Sequence, residues 1–157
     1  MSTRSQTGLL ESYVPWSSNY SLKDLRDLQV DDKDIGLVIL WVKPTGNMIA
    51  LVSAATRHFV QCWDALVLEH GVLMRKFSKK DGTGSFLQLV VPKSLQKDVL
   101  YQMHNSLLSG HLGGKKTREK LLQRYYWFGV REDIHLWIQQ CDNCAANKTP
   151  CKNPKAP

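Results

Sequence analysis

The sequence predicts an α+β fold. An N-terminal domain of helices with a small antiparallel three-stranded sheet precedes a three-helix bundle stabilised by a metal ion. Three observations carry this expectation. Between residues 66 and 91, short β-rich apolar runs are separated by turn residues, as in strands and hairpins. From Ser94 onward the apolar residues recur every three to four positions, the period of a helix. A pair of histidines and a pair of cysteines fall within that helical part, which is too small to be held by its own core alone.

With 157 residues, 43% of them apolar and 22% charged, the chain can bury a core and suits one large domain or two small ones. Residues 1–20 are rich in serine and threonine and lack a sustained period, so they read as a flexible arm. Ser21 is a good N-cap for a helix carrying Leu22, Leu25 and Leu28. The Asp31–Asp34 run reads as a solvated turn with helix-capping acids rather than a metal site for phosphoryl transfer. Ile35 to Val42 predicts a second helix, ending before Pro44, and residues 53–66 a third, with Phe59, Trp63 and Leu66. Leu66–Leu68 and Val72–Phe77, joined by Glu69-His70-Gly71, predict a hairpin, and Phe86–Val91 a third strand stopped by Pro92. Three helices follow, over Ser94–Leu107, Lys115–Tyr126 and Val130–Gln140, separated by glycines. Pro150 and Pro154 mark residues 149–157 as a basic linker. The resulting division is 1–20, 21–93, 94–148 and 149–157.

No apolar run is long enough to span a bilayer, and no secretory leader is visible, so an intracellular protein without a membrane partner is expected. The net charge of +7 is uneven: residues 1–103 contribute +2 and residues 104–157 contribute +5. A concentrated positive half attracts polyanions, of which nucleic acid is the common intracellular one.

His104 and His111 form an H-x6-H pair, and Cys141-Asp-Asn-Cys144 a C-x2-C pair. Zn2+ prefers four nitrogen and sulfur ligands in a tetrahedron, and two closely spaced pairs supply them economically. His104 lies four residues after Leu100 on the inner face of its helix, and Cys141 continues the apolar stripe Val130, Ile134, Trp137, Ile138. A redox dithiol would open a helix after a strand, whereas this pair follows a helix. Four protein ligands leave no seat for a catalytic water, so the expected role is one structural Zn2+. His58, His70 and His135 lack a partner at ligand spacing and read as ordinary. Cys62 is expected in the core and Cys151 in the tail.

The stretch Leu100–Lys148 resembles the H2C2 (HHCC) zinc-binding domain of integrases from gypsy-type LTR retrotransposons. The shared landmarks are H-x6-H with Gly110 before the second histidine, GKKT at the middle helix, YYW before a glycine, Arg-Glu-Asp at the last helix, and C-D-x-C. The preceding SLKDLRDLQVDDKDIG, Trp63, EHGVLMRKF and LQLVVPKSLQKDVL are similar to what lies upstream of that domain in such polyproteins. Phe128 departs from the family, which usually has proline there. The resemblance implies that His104, His111, Cys141 and Cys144 hold the zinc, that residues 21–93 form an N-terminal extension domain, and that the bundle over 94–148 is helix-turn-helix-like. It also implies binding of double-stranded DNA at element ends, self-association with other integrase subunits, a nuclear location and no small-molecule substrate. The D, D, E catalytic core of the family would follow the zinc domain and is not in these 157 residues, so no catalysis is expected of them. Lys115, Lys116, Arg118, Lys120, Arg124 and Lys148, with Lys152 and Lys155 in the tail, are the candidates to neutralise phosphates, although each alone also reads as a solvated surface charge. A domesticated relic serving protein–protein interaction is the alternative, which salt-dependent DNA binding would discriminate.

Overall fold

The computed structural model describes residues 20–41, 51–78, 84–106, 109–111 and 113–146. The N-terminal arm, the linker, Val42, Pro44, Leu107, Lys148 and Cys151 lie outside the described residues.

Helix α1 (Leu22–Asp31) starts as its sequence predicts. Ser21 Oγ accepts from the Asp24 amide, and the Asp24 carboxylate accepts from the Ser21 amide, a reciprocal capping box. Those bonds hold the Asp24 carboxyl below its ordinary range. The aspartates that follow act as local tethers. Asp32 Oδ1 accepts from the amides of Asp34 and Ile35, both at 3.0 Å, and Oδ2 from the Lys93 amide at 2.8 Å. Asp34 accepts from the hydroxyls of Ser53 and Thr56. Helix α2 (Ile35–Leu40) is shorter than expected, because Trp41 is already extended. Helix α3 (Ala54–Gln61), capped by Ser53, gives way to a 3-10 turn at Trp63–Ala65, so Leu66 belongs to a strand rather than to the third helix.

Strands β1 (Leu66–Glu69), β2 (Val72–Ser78) and β3 (Ser85–Val90) pair antiparallel in chain order. His70 and Gly71, with φ of 52° and 80°, make the two-residue turn of the first hairpin, a left-handed pair that suits strand twist. The expected three-stranded antiparallel sheet is corrected in one respect: a fourth strand, β4 (Tyr125–Tyr126), pairs parallel to β3, Leu89 with Tyr125 and Val90 with Tyr126. The middle helix, expected to run through Tyr126, ends at Leu122. The open edge of β3 offers the amides of Leu89 and Val91, and the carbonyls of Arg124 and Tyr126 accept them at 2.8 and 2.9 Å. Satisfying that edge outweighs one more helical turn.

After β3, a 3-10 turn at Lys93–Leu95 leads into α4 (Gln96–His104), so Ser94 is not its N-cap. Then come α5 (Gly114–Leu122), β4, α6 (Val130–Gln139) and a short α7 (Asp142–Ala146) that begins inside the C-x2-C pair.

The strand period of two sorts the core into two layers. Val72, Met74, Leu89 and Val91 pack with Leu25 and with Val99, Met103, Leu121, Tyr125, Trp127 and Ile134. Leu73 and Val90 face the other way, onto Ile35, Val38 and Phe59 of α2 and α3. The first layer runs from α1 through the sheet to α6 without a break at residue 93. A buried glutamine completes the framework. Gln29 lies beyond the last β2–β3 pair, Met74 with Leu89. Its Nε2 donates to the carbonyls of Leu73 (3.0 Å) and Val90 (2.6 Å), and its Oε1 accepts from the Leu73 amide (2.7 Å). Among the described residues no helix is long and apolar enough to cross a membrane.

Candidate metal centre

Helix α4 buries Val99, Leu100 and Met103 and ends on His104, whose side chain is fully buried. Beyond it, the hydroxyls of Ser106 and Ser109 both donate to the Gln102 carbonyl at 2.8 Å, satisfying an acceptor of the last turn. Gly110 and His111 then take left-handed backbone, φ 55° and 48°. For a histidine that conformation costs roughly 1 kcal/mol. It occurs where the chain returns the His111 ring toward His104, the two rings standing edge to face at 5.2 Å.

The cysteines arrive from the other side. Helix α6 buries Val130 and Ile134 on the shared core, and Cys141 follows one residue past its cap. The Cys141 carbonyl accepts from the Ala145 amide at 2.9 Å, starting α7, and Cys144 stands one turn along it. Trp137 Nε1 donates to Asn105 Oδ1 at 2.8 Å and ties α6 to the end of α4. Trp127 Nε1 donates to Asp133 Oδ2 at 2.6 Å, fixing the approach to α6.

The structure brings the four predicted side chains together: one ligand atom from each of His104, His111, Cys141 and Cys144 lies within 4.8 Å of all the others. Cys141 Sγ is 3.3 Å from His111 Nδ1, and Cys144 Sγ is 3.2 Å from His104 Nε2. In a tetrahedral two-nitrogen, two-sulfur site, with Zn–N near 2.0 Å and Zn–S near 2.3 Å, neighbouring donors stand about 3.5 Å apart. The donor set and its spacing therefore fit one Zn2+, and the four residues are positioned to bind one metal ion. Held by these four residues, an ion would tie together the end of α4, the loop after it, the end of α6 and the start of α7.

Three supporting residues were not found from the sequence. Thr117, buried on α5, places Oγ1 at 3.3 Å from His104 Nδ1, the nitrogen turned away from the cysteines. Asn143 meets His111 Nε2 at 2.9 Å. Such partners fix ring orientation and tautomer in metal sites. Asn105 is the third. None is marked by spacing, because a hydroxyl or amide one helical turn inside a motif looks like any surface residue.

Of the basic residues singled out, Lys115, Lys116 and Arg118 are exposed on α5. Lys120 and Arg124 are half-buried, with Lys120 Nζ 3.5 Å from Ser109 Oγ and the Arg124 carbonyl engaged by β3. Lys148 lies outside the described residues.

Residues 91–150 match the integrase zinc-binding domain family, with all four of these side chains inside the match. That segment is similar to integrase zinc-binding domains of the H2C2 type. Over 124 residues, 79% of this chain, the sequence is 29% identical to the uncharacterized protein K02A2.6 of Caenorhabditis elegans. Over 60 residues, 38% of this chain, it is 28% identical to the Gypsy retrotransposon integrase-like protein 1 of Homo sapiens and to that of Macaca fascicularis. The matched stretches cover 9% and 12% of those relatives, so the chain corresponds to about a tenth of their length.

Proposed function

We propose that this chain is the N-terminal, non-catalytic region of a gypsy-type retrotransposon integrase, which binds double-stranded DNA at element ends and helps assemble integrase subunits in the nucleus. In this account residues 21–93 are the extension domain and 94–148 the zinc domain, with His104, His111, Cys141 and Cys144 as the ligands of one structural Zn2+. The observation that carries the proposal is the convergence of these four donors within 4.8 Å inside a segment that matches the integrase zinc-binding domain. Further support comes from α5, where exposed Lys115, Lys116 and Arg118 form a cationic face beside the metal centre. Such a face fixes position on phosphates without reading bases.

The chain's own residues would act by shape and charge. His104 and Cys141, buried against the core, anchor the bundle so that α5 presents its cations on a rigid support. The test is duplex binding by fluorescence anisotropy across a salt series with the zinc-loaded chain. Three phosphate contacts predict log affinity falling against log salt with a slope of about −3. Triple substitution of Lys115, Lys116 and Arg118 by alanine removes most of that slope. Absence of duplex binding at low salt would refute the DNA role and favour a module that binds proteins.

A further inference from the structure

We propose that the uncovered part of the sheet face formed by β2, β3 and β4 is a stacking site for unpaired nucleotides of a DNA strand. This deepens the DNA-binding proposal and rests on it for the class of ligand.

Helices α2 and α3 cover only one end of this face, at Leu73 and Val90. Two residues along each strand, on the same side by the pleat, stand Arg75 and Gln88, and beyond them Phe77 and Phe86. Arg75 pairs with Gln88 across the ladder and Phe77 with Phe86, whose rings lie 5.2 Å apart. Tyr126 of β4 adds a further ring, and Phe128, 45% exposed, rises at the edge with its ring 5.3 Å from His58. Together with the first turn of α6 they enclose a cleft of about 750 Å³, within the size range of ligand sites.

Two arginines and two glutamates line this cleft, yet Arg75 is not paired with either carboxylate. The Arg75 guanidinium lies 4.2 Å over the Tyr126 ring, and its Nη1 donates to Gln88 Oε1 at 2.8 Å. Its Nε is buried without a hydrogen-bond partner, and no carboxylate among the described residues pairs with it. Glu119 and Glu132 line the cleft with Arg131 but do not form an ion pair with Arg75. A partly desolvated cation among aromatic rings calls for a ligand that offers both a flat apolar face and an anion. A nucleotide has both. In a duplex its base faces are already stacked, so this site suits a strand whose bases are free. The net charge of +7 also favours a polyanion.

The test uses anisotropy of the zinc-loaded full chain with a labelled thymidine strand of about ten nucleotides and with a blunt duplex. Phe128→Ala, an exposed substitution that keeps the fold, should weaken strand binding about tenfold and leave duplex binding at the parent level. Arg75→Gln should weaken the strand likewise, with an unchanged circular dichroism spectrum. Lys115→Ala with Lys116→Ala should chiefly weaken the duplex. Parent affinity for the strand in Phe128→Ala overturns the inference. So does a parent chain that binds the duplex but not the strand, and that result leaves the duplex proposal standing; binding of neither overturns both. Cleft amide resonances that move with an apolar acidic peptide and not with the strand would assign the surface to a protein partner instead.

Discussion

At His104, one ring nitrogen faces Cys144 and the other faces Thr117, so a residue outside the ligand set decides which nitrogen is offered to a metal. Thr117→Val keeps the side-chain volume and removes the hydroxyl. It should lower zinc affinity about tenfold, measured by competition with a chelator, while leaving the far-ultraviolet spectrum unchanged. A parent-like affinity would show that Thr117 does not tune the site. His58, read from the sequence as ordinary, has a specific environment. It hydrogen-bonds the Tyr126 hydroxyl, and burial first, then the Arg75 charge, hold its pKa below the ordinary 6.5. The folded state therefore keeps His58 neutral where the unfolded chain binds a proton. Its contribution to stability is complete above pH 6.5 and is lost as pH falls from there toward the folded value. In thermal melts at saturating zinc, the parent should lose more stability below pH 6.5 than His58→Gln does. Parallel pH profiles would contradict this. The same neighbourhood moves Tyr126 the other way: burial raises its phenol pKa, partly offset by Arg75.

Elements were legible wherever one period dominated. Ser21 and the leucine spacing after it announced α1, and the β1–β2 hairpin followed from apolar runs around His70-Gly71. Tyr125–Tyr126 was misjudged because two residues cannot display a period, and the preceding Leu121 and Leu122 continue a helical one. Only the unsatisfied edge of β3 makes them a strand, and that edge is distant in sequence. Gln29 was hidden for a related reason. A polar residue beside the leucines of α1 looks solvent-facing, yet its partners lie 44 and 61 residues away. Gln29→Leu would leave the Leu73 and Val90 backbone groups buried and unpaired. At about 1–3 kcal/mol per orphaned group, urea denaturation should register a loss of about 3 kcal/mol. A loss under about 0.5 kcal/mol, the range of a neutral surface change, would mean that α1 is held by its leucines alone.

Across the whole molecule, the metal centre was visible from four residues of two types at two spacings, because zinc chemistry restricts both. What the spacings could not convey is how the centre joins the rest. Strand β4 continues the N-terminal sheet, and one core layer extends from Leu25 to Ile134. The metal centre thus sits at the end of a shared framework rather than in an isolated bundle. The central claim, that two imidazoles and two thiolates enclose a single ion, is tested most directly by replacing zinc with Co2+, whose visible spectrum reports coordination geometry. Titration of the metal-free chain should saturate at one equivalent with the intense bands of tetrahedral Co2+ and thiolate charge transfer in the near ultraviolet, and His104→Ala should weaken both. Weak octahedral bands, or an unchanged spectrum in His104→Ala, would contradict the account.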